Sequence, residues 1–233
     1  MSTFLAKDLG YDKMVFTMDQ RFKDVKVIAW DIDTTLYKTI PELSIKLKNG
    51  CIEEISKLKN IPLSEADVLF HKEREKWGST FLAFMSLGWK NLEAVKKIEE
   101  VEKKINKYSY IKYDPELKEV FAKLHSFRHF ILRNGTKNST LKLLNLLGVN
   151  PDIFEKMITT EDCLLPKPDL APFKMLLEIT GLPAEQHVYI GDRERVDIEP
   201  AKKLGMKTIL VWGKSALADI SLPTVYDVPS VFL

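Results

Sequence analysis

Short apolar runs alternate with helically spaced segments along most of this chain, and that alternation restricts the available folds more than any other feature. Val27-Ile28-Ala29-Trp30, Phe130-Ile131-Leu132, Lys156-Met157-Ile158-Thr159, His187-Val188-Tyr189-Ile190 and Thr208-Ile209-Leu210-Val211-Trp212 each have the length and apolar weight of a buried strand, and Val225-Tyr226 extends the series as a short sixth. Between them apolar residues recur at helical spacing, as in Leu141, Leu144, Leu147 and in Phe173, Leu176, Leu177. Three of these helices share a stop signal, in Leu147-Gly148-Val149, Thr180-Gly181-Leu182 and Leu204-Gly205-Met206. Each places glycine where the chain turns left-handed and follows it with an apolar residue that packs back on the last turn.

Buried strands joined through helices form a parallel sheet with right-handed crossovers. The expectation is an α/β fold, a Rossmann-like parallel sheet core with helices on both faces. One stretch, 38–113, interrupts the alternation. It reads as helical throughout, with a capping-box pattern at Ser64-Glu65-Ala66-Asp67 and an apolar stripe at Leu92, Val95, Ile98, Val101 and Ile105. Asp114-Pro115 then marks a helix start and resumes the alternation. The interruption is too long for a loop, so a small all-α cap domain is expected over 38–113. The core domain is then 25–37 and 114–233, preceded by an N-terminal extension, 1–24, in which Met14-Val15-Phe16 reads as a short strand.

Lys and Arg total 35 against 33 for Asp and Glu, a net charge of +2, and the basic residues are mostly interleaved with acids, as in Lys96-Lys97-Ile98-Glu99-Glu100. That pattern describes solvated helix faces and argues against nucleic acid or a membrane surface as partner. Cys51 and Cys163 are the only cysteines and have no metal-site spacing; both are read as small packed side chains in a reducing compartment. Lys7, Asp8, Asp12 and Lys13 interrupt any signal-peptide core, so a cytoplasmic location is expected, as a monomer or small homo-oligomer. His71, His125, His129 and His187 lack mutual metal spacing and are assigned structural roles.

In a parallel α/β sheet ligands gather at the carboxyl ends of the strands. The first run ends in Asp31, Asp33, Thr34 and Thr35; the second in Arg133, Asn134, Gly135 and Thr136. Lys167 stands before a helix beyond the third, and Gly191-Asp192 followed by Asp197 come after the fourth. Two carboxylates crowded at one strand end repel each other, and burying them is costly unless a cation or a reaction uses them. Several carboxylates and a lysine on one edge point to a hard cation such as Mg²⁺ held with a phosphate.

Taken in order, these residues resemble the motifs of the haloacid dehalogenase-like superfamily in its phosphatase branch. Asp31-Ile32-Asp33-Thr34-Thr35 matches DxDxT, Lys167-Pro168-Asp169 matches the lysine before a helix, and Gly191-Asp192 with Asp197 matches GDxxxxD, over roughly residues 25–213. The resemblance implies a Mg²⁺-dependent phosphomonoester hydrolase acting on a small phosphorylated metabolite. Asp31 would be the nucleophile that forms an aspartyl-phosphate, and Asp33 the general acid and base, with a raised pKa. Lys167 would screen charge on Asp31 and the phosphoryl group. Asp31, the Asp33 carbonyl and Asp192 would hold Mg²⁺, with Thr35 and Asp197 supporting that shell.

The second motif departs from the family pattern: Arg133 occupies the place of the usual Ser or Thr, followed by Asn134. Either Arg133 binds the phosphate through its forked donors, with Asn134 beside it, or it points away and leaves Asn134, backbone amides or Thr136 to do so. In the cap, Tyr37 and Trp77-Gly78-Ser79-Thr80 resemble pyrimidine 5′-nucleotidase-like members, which implies a nucleoside 5′-monophosphate. The same fold also serves 2-haloacid dehalogenases, which have no need of an acid at Asp33, and phosphomutases. Arg133 further admits a catalytically weak regulatory or binding relative.

Overall fold

The computed structural model describes residues 18–233. The strand assigned to Met14-Val15-Phe16 lies outside those residues. Six strands form one parallel sheet in the order β3-β2-β1-β4-β5-β6: β1 is Val27–Trp30, β2 Arg128–Arg133, β3 Phe154–Thr159, β4 His187–Gly191, β5 Lys207–Val211 and β6 Ile220–Leu222. The sixth strand is therefore Ile220–Leu222. Val225–Val231 forms a 3₁₀ segment instead, with the Thr224 side chain and Asp227 closing its first turn. Trp212 lies outside β5: its φ of 64° is left-handed, and its indole N–H donates to the Thr35 carbonyl at 2.9 Å.

The central position of β1 follows from its composition. All four residues are buried, so the strand needs cover on both faces. Ile28 and Trp30 pack in a cluster with Ile131, Val188, Ile190 and Leu117 on one face, while Val27 and Ala29 join Phe130, Leu132, Tyr189 and Phe173 on the other. The covering core helices are α5 (Pro115–Lys123), α6 (Lys137–Leu147), α7 (Thr160–Cys163), α8 (Ala171–Thr180) and α9 (Glu199–Lys203), numbered after four helices of the insertion. Gly148, Gly181 and Gly205 close three helical segments with φ of 78°, 64° and 85°. Asp114 caps α5 by accepting from the Glu116 and Leu117 amides.

The insertion comprises α1 (Pro41–Lys59), α2 (Leu63–Trp77), α3 (Thr80–Leu87), α4 (Asn91–Lys104) and a 3₁₀ turn, Lys107–Tyr110. It buries a cluster of its own around Cys51, Ile55, Phe70, Phe84 and Trp89, with the Phe84 and Trp89 rings stacked at 4.4 Å. The Ser64–Asp67 capping box does not form. α2 begins two residues earlier, at Leu63 after Pro62, whose side chain has no group to cap it. Several polar contacts join the insertion to the core, two of them at the end of α2 and along α4. Arg195 donates to the last carbonyls of α2, Glu75 O at 3.0 Å and Lys76 O at 2.9 Å, and Glu99 of α4 accepts from the Thr136 amide and hydroxyl at 3.1 and 2.7 Å. Among the described residues no helix is long and apolar enough to cross a membrane.

Candidate active site

β1 and β4 are neighbours at the point where the strand order reverses, and the crevice beyond their carboxyl ends is where such sheets bind ligands. Asp31 follows β1 and Asp192 follows β4. Asp197 is brought back to them by a single π-turn, Glu194–Ile198, a local widening often found at functional sites. One oxygen from each of Asp31, Asp192 and Asp197 lies within 4.8 Å of the others. Gly191 makes this approach possible, since a Cβ there would fall 2.4 Å from the Asp197 Cβ.

Lys167 is the counter-charge. It is 1% exposed, and its Nζ donates to Asp31 Oδ1 at 2.9 Å, Asp197 Oδ1 at 2.7 Å and the Tyr189 hydroxyl at 2.5 Å. The Tyr189 hydroxyl in turn reaches the Leu132 carbonyl. Asn134 fixes the lysine's backbone by a reciprocal pair, its Nδ2 donating to Lys167 O and its Oδ1 accepting from Lys167 N, both at 2.8 Å. Asn134 is thus committed to positioning Lys167 through both ends of its amide. Thr136 likewise caps α6 and binds Glu99.

Oxygen atoms crowd the other side of Asp31. Thr34 Oγ1 lies 2.6 Å from both the Asp33 carbonyl and Asp192 Oδ2, so one proton serves two acceptors. Thr35 Oγ1 stands 3.3 Å from both Asp31 Oδ2 and Asp192 Oδ1. Thr34 reaches this place with a φ of 62°, a conformation rarely adopted by a β-branched residue and one that clusters at functional sites. Burial raises the pKa of Asp31, opposed by Lys167 and reinforced by Asp197. Asp192 is pushed up to about 6, first by burial and then by Asp197, with Arg193 opposing. Carboxylates so placed are short of positive charge, and the oxygens that Asp31, Asp192 and Asp197 bring together are all hard donors, which fits a cation such as Mg²⁺.

Asp33 departs from expectation. Its carboxylate accepts from Arg133 Nε at 2.7 Å, Lys107 Nζ at 2.8 Å and the Tyr37 hydroxyl at 2.8 Å. Burial raises its pKa, but Arg133 and Lys107 outweigh burial and hold the carboxyl far below the ordinary range. The raised pKa expected from like-charge neighbours is therefore reversed, because two cations, Arg133 and Lys107, bond the Asp33 carboxylate directly. Arg133 is accordingly not free to serve as the phosphate clamp. It is 4% exposed, and besides Asp33 its Nη1 donates to Ser139 at 2.6 Å and Thr140 at 3.3 Å. Gly135 leaves room for it, since a Cβ there would lie 2.3 Å from Nη1.

A cavity of about 430 Å³ opens over these residues between core and insertion, with Asp33, Thr34, Asn134 and Arg193 on the core side. The insertion contributes Arg74, Thr80 and Glu102 among others. Lys107, Glu102 and Arg74 escape a sequence reading. Lys107 follows the lysine-rich end of α4, Lys103-Lys104-Ile105-Asn106, and looks like part of a solvated face, yet it is 3% exposed.

A parallel sheet with three carboxylates and a buried lysine gathered at its switch point has the layout of an α/β enzyme site. The haloacid dehalogenase-like hydrolase profile matches residues 28–211. The chain belongs to that family. It is 29% identical over 194 residues to a glyceraldehyde 3-phosphate phosphatase of Methanocaldococcus jannaschii, covering 80% of this chain and 85% of the relative. It is 25% identical over 197 residues to one of Pyrococcus abyssi, covering 82% of each. The crystal structure of a HAD phosphatase from Thermococcus onnurineus superposes with a TM-score of 0.62 at 22% identity, over 89% of this chain and 97% of that one.

Proposed function

We propose that this hydrolase cleaves phosphate monoesters of small metabolites, with Asp31 as nucleophile, Mg²⁺ as cofactor and the helical insertion as its cap. The carrying observation is the pairing of Asp31, 2% exposed, with Lys167 at 2.9 Å and the Asp192 carboxylate alongside. Asp31 would attack phosphorus and release the alcohol, and water would then hydrolyse the aspartyl-phosphate. Lys167, whose Nζ lies 2.9 Å from Asp31 Oδ1, would screen charge on the attacking oxygen and the phosphoryl group. Asp33, two residues on, faces the same cavity and would handle the proton of the leaving alkoxide and then of the water. To donate that proton, its carboxyl has to be loosened from Arg133 or Lys107 as substrate enters. Mg²⁺ held by Asp31, Asp192 and the Asp33 carbonyl would supply charge neutralisation for the phosphoryl group.

Glyceraldehyde 3-phosphate, on which the two relatives are named as acting, is the first substrate to try. Nucleoside 5′-monophosphates are the second, from the resemblance around Trp77-Gly78-Ser79-Thr80. The cage on Asp33 favours a second reading, a slow enzyme or binding relative that retains the fold. A screen of phosphate esters with Mg²⁺, comparing the wild type with Asp31→Asn, separates the two. The proposal expects Mg²⁺-dependent phosphate release that Asp31→Asn abolishes. No release from any ester at near-neutral pH contradicts it.

A further inference from the structure

Resting on the phosphatase reading, we infer that Glu102 selects the leaving group, so that this site takes phosphate esters of hydroxylated alcohols, the sugar and polyol phosphates. Glu102 lies in α4, is 7% exposed and lines the cavity that Asp33 also lines. Its Oε1 accepts from Lys107 Nζ at 2.7 Å, and the same ammonium donates to Asp33 Oδ1 at 2.8 Å. Glu102 is therefore one ammonium group away from the residue that meets the leaving oxygen. Its Oε2 is buried and has no hydrogen-bond partner among the described residues.

A buried carboxylate oxygen without a partner is costly, and the great majority of such atoms in folded proteins are satisfied. A carboxylate oxygen only accepts, so its missing partner is a donor. A hydroxyl near the ester carbon supplies one. A carboxylate there would bring a second set of acceptors and like charge, and an alkyl group would leave Oε2 unpaired. Arg74, whose Nε donates to Thr80 Oγ1 at 3.0 Å on the same cavity wall, adds a guanidinium that suits the lone pairs of such a hydroxyl.

The test is a matched set of esters, glycerol phosphate, propyl phosphate and 2-phosphoglycolate, assayed for kcat/KM with wild type, Glu102→Leu and Glu102→Gln. Wild type is expected to favour glycerol phosphate over propyl phosphate by about tenfold or more, since a site built to bond a hydroxyl rejects the analogue lacking it. Glu102→Leu should bring that ratio close to one, and Glu102→Gln, which keeps an acceptor, should retain part of it. Any loosening of Lys107 and Asp33 affects both esters alike and cancels in the ratio. Equal cleavage of glycerol phosphate and propyl phosphate by the wild type, a ratio unchanged in Glu102→Leu, or a preference for 2-phosphoglycolate overturns the inference and leaves the phosphatase reading standing. If Glu102→Leu fails to fold, the wild-type ratio and Glu102→Gln decide. No Mg²⁺-dependent cleavage of any ester removes the phosphatase reading, and this inference with it.

Discussion

Replacing Lys167 with methionine removes one charge at nearly constant shape and tests the electrostatics of the site. In the wild type the ammonium neutralises Asp31 and Asp197, which are 2% and 0% exposed. Breaking a buried pair in this way costs about 3–5 kcal/mol, because the abandoned charge stays buried. Two features soften the loss: Arg193 Nε lies 3.7 Å from Asp197 Oδ2, and Asp31, already raised in pKa, takes up a proton readily. Destabilisation of about 3–4 kcal/mol at pH 7 is expected, a fall of roughly 6–16 °C in Tm for a chain of this size. The pH dependence carries the sign. Without Lys167 the folded-state pKa of Asp31 rises further above its unfolded value, so the added penalty is absent at low pH and grows as pH rises through the folded pKa. Urea unfolding should therefore show a wide gap between wild type and variant near pH 7 that narrows toward about pH 5. A gap below about 1 kcal/mol, or one that is constant with pH, refutes the reasoning.

Asp192, raised to about 6, contributes stability that is complete below its unfolded pKa near 4 and is lost as pH rises through 6. Mg²⁺ should therefore raise Tm far more at pH 7.5 than at pH 5, relative to EDTA, in a differential scanning measurement. Arg133→Ser should cost about 1–3 kcal/mol, because Asp33 keeps Lys107 and Tyr37 while Ser139 and Thr140 keep the Thr136 carbonyl. The same variant raises the pKa of Asp33, so the alkaline limb of the pH–rate profile should move to higher pH; an unmoved limb removes Asp33 as the general acid. Arg195→Ala deletes two bonds between the core and the end of α2 and should speed limited proteolysis of the insertion, with a stability loss of about 1 kcal/mol.

Much of the fold was legible because burial on both faces of a parallel strand leaves an unbroken apolar run, as in Val27–Trp30, and because Gly148, Gly181 and Gly205 mark helix ends by a conformation glycine adopts freely. The sixth strand was missed because Ile220-Ser221-Leu222 is a short edge strand with one apolar face, whereas Val225-Tyr226 has more β-branched and aromatic character and is held in a 3₁₀ turn by Thr224 and Asp227. At the site, residues at strand ends were readable because topology fixes where strand ends meet. The partners of Asp33 were not. Lys107 and Tyr37 come from the two ends of the insertion, and the sequence leaves Arg133 free to face a phosphate or to turn, as its Nε does, onto Asp33. A side chain's direction depends on packing that single-residue spacing does not encode.

The central claim is that Asp31 becomes covalently phosphorylated. Rapid acid quench of the enzyme turning over a labelled phosphate ester with Mg²⁺, followed by peptide mapping, tests it most directly. Label on the peptide carrying Asp31, lost in Asp31→Asn and decaying as product forms, is the predicted result. Turnover with no protein-bound label, together with an active Asp31→Asn variant, contradicts it.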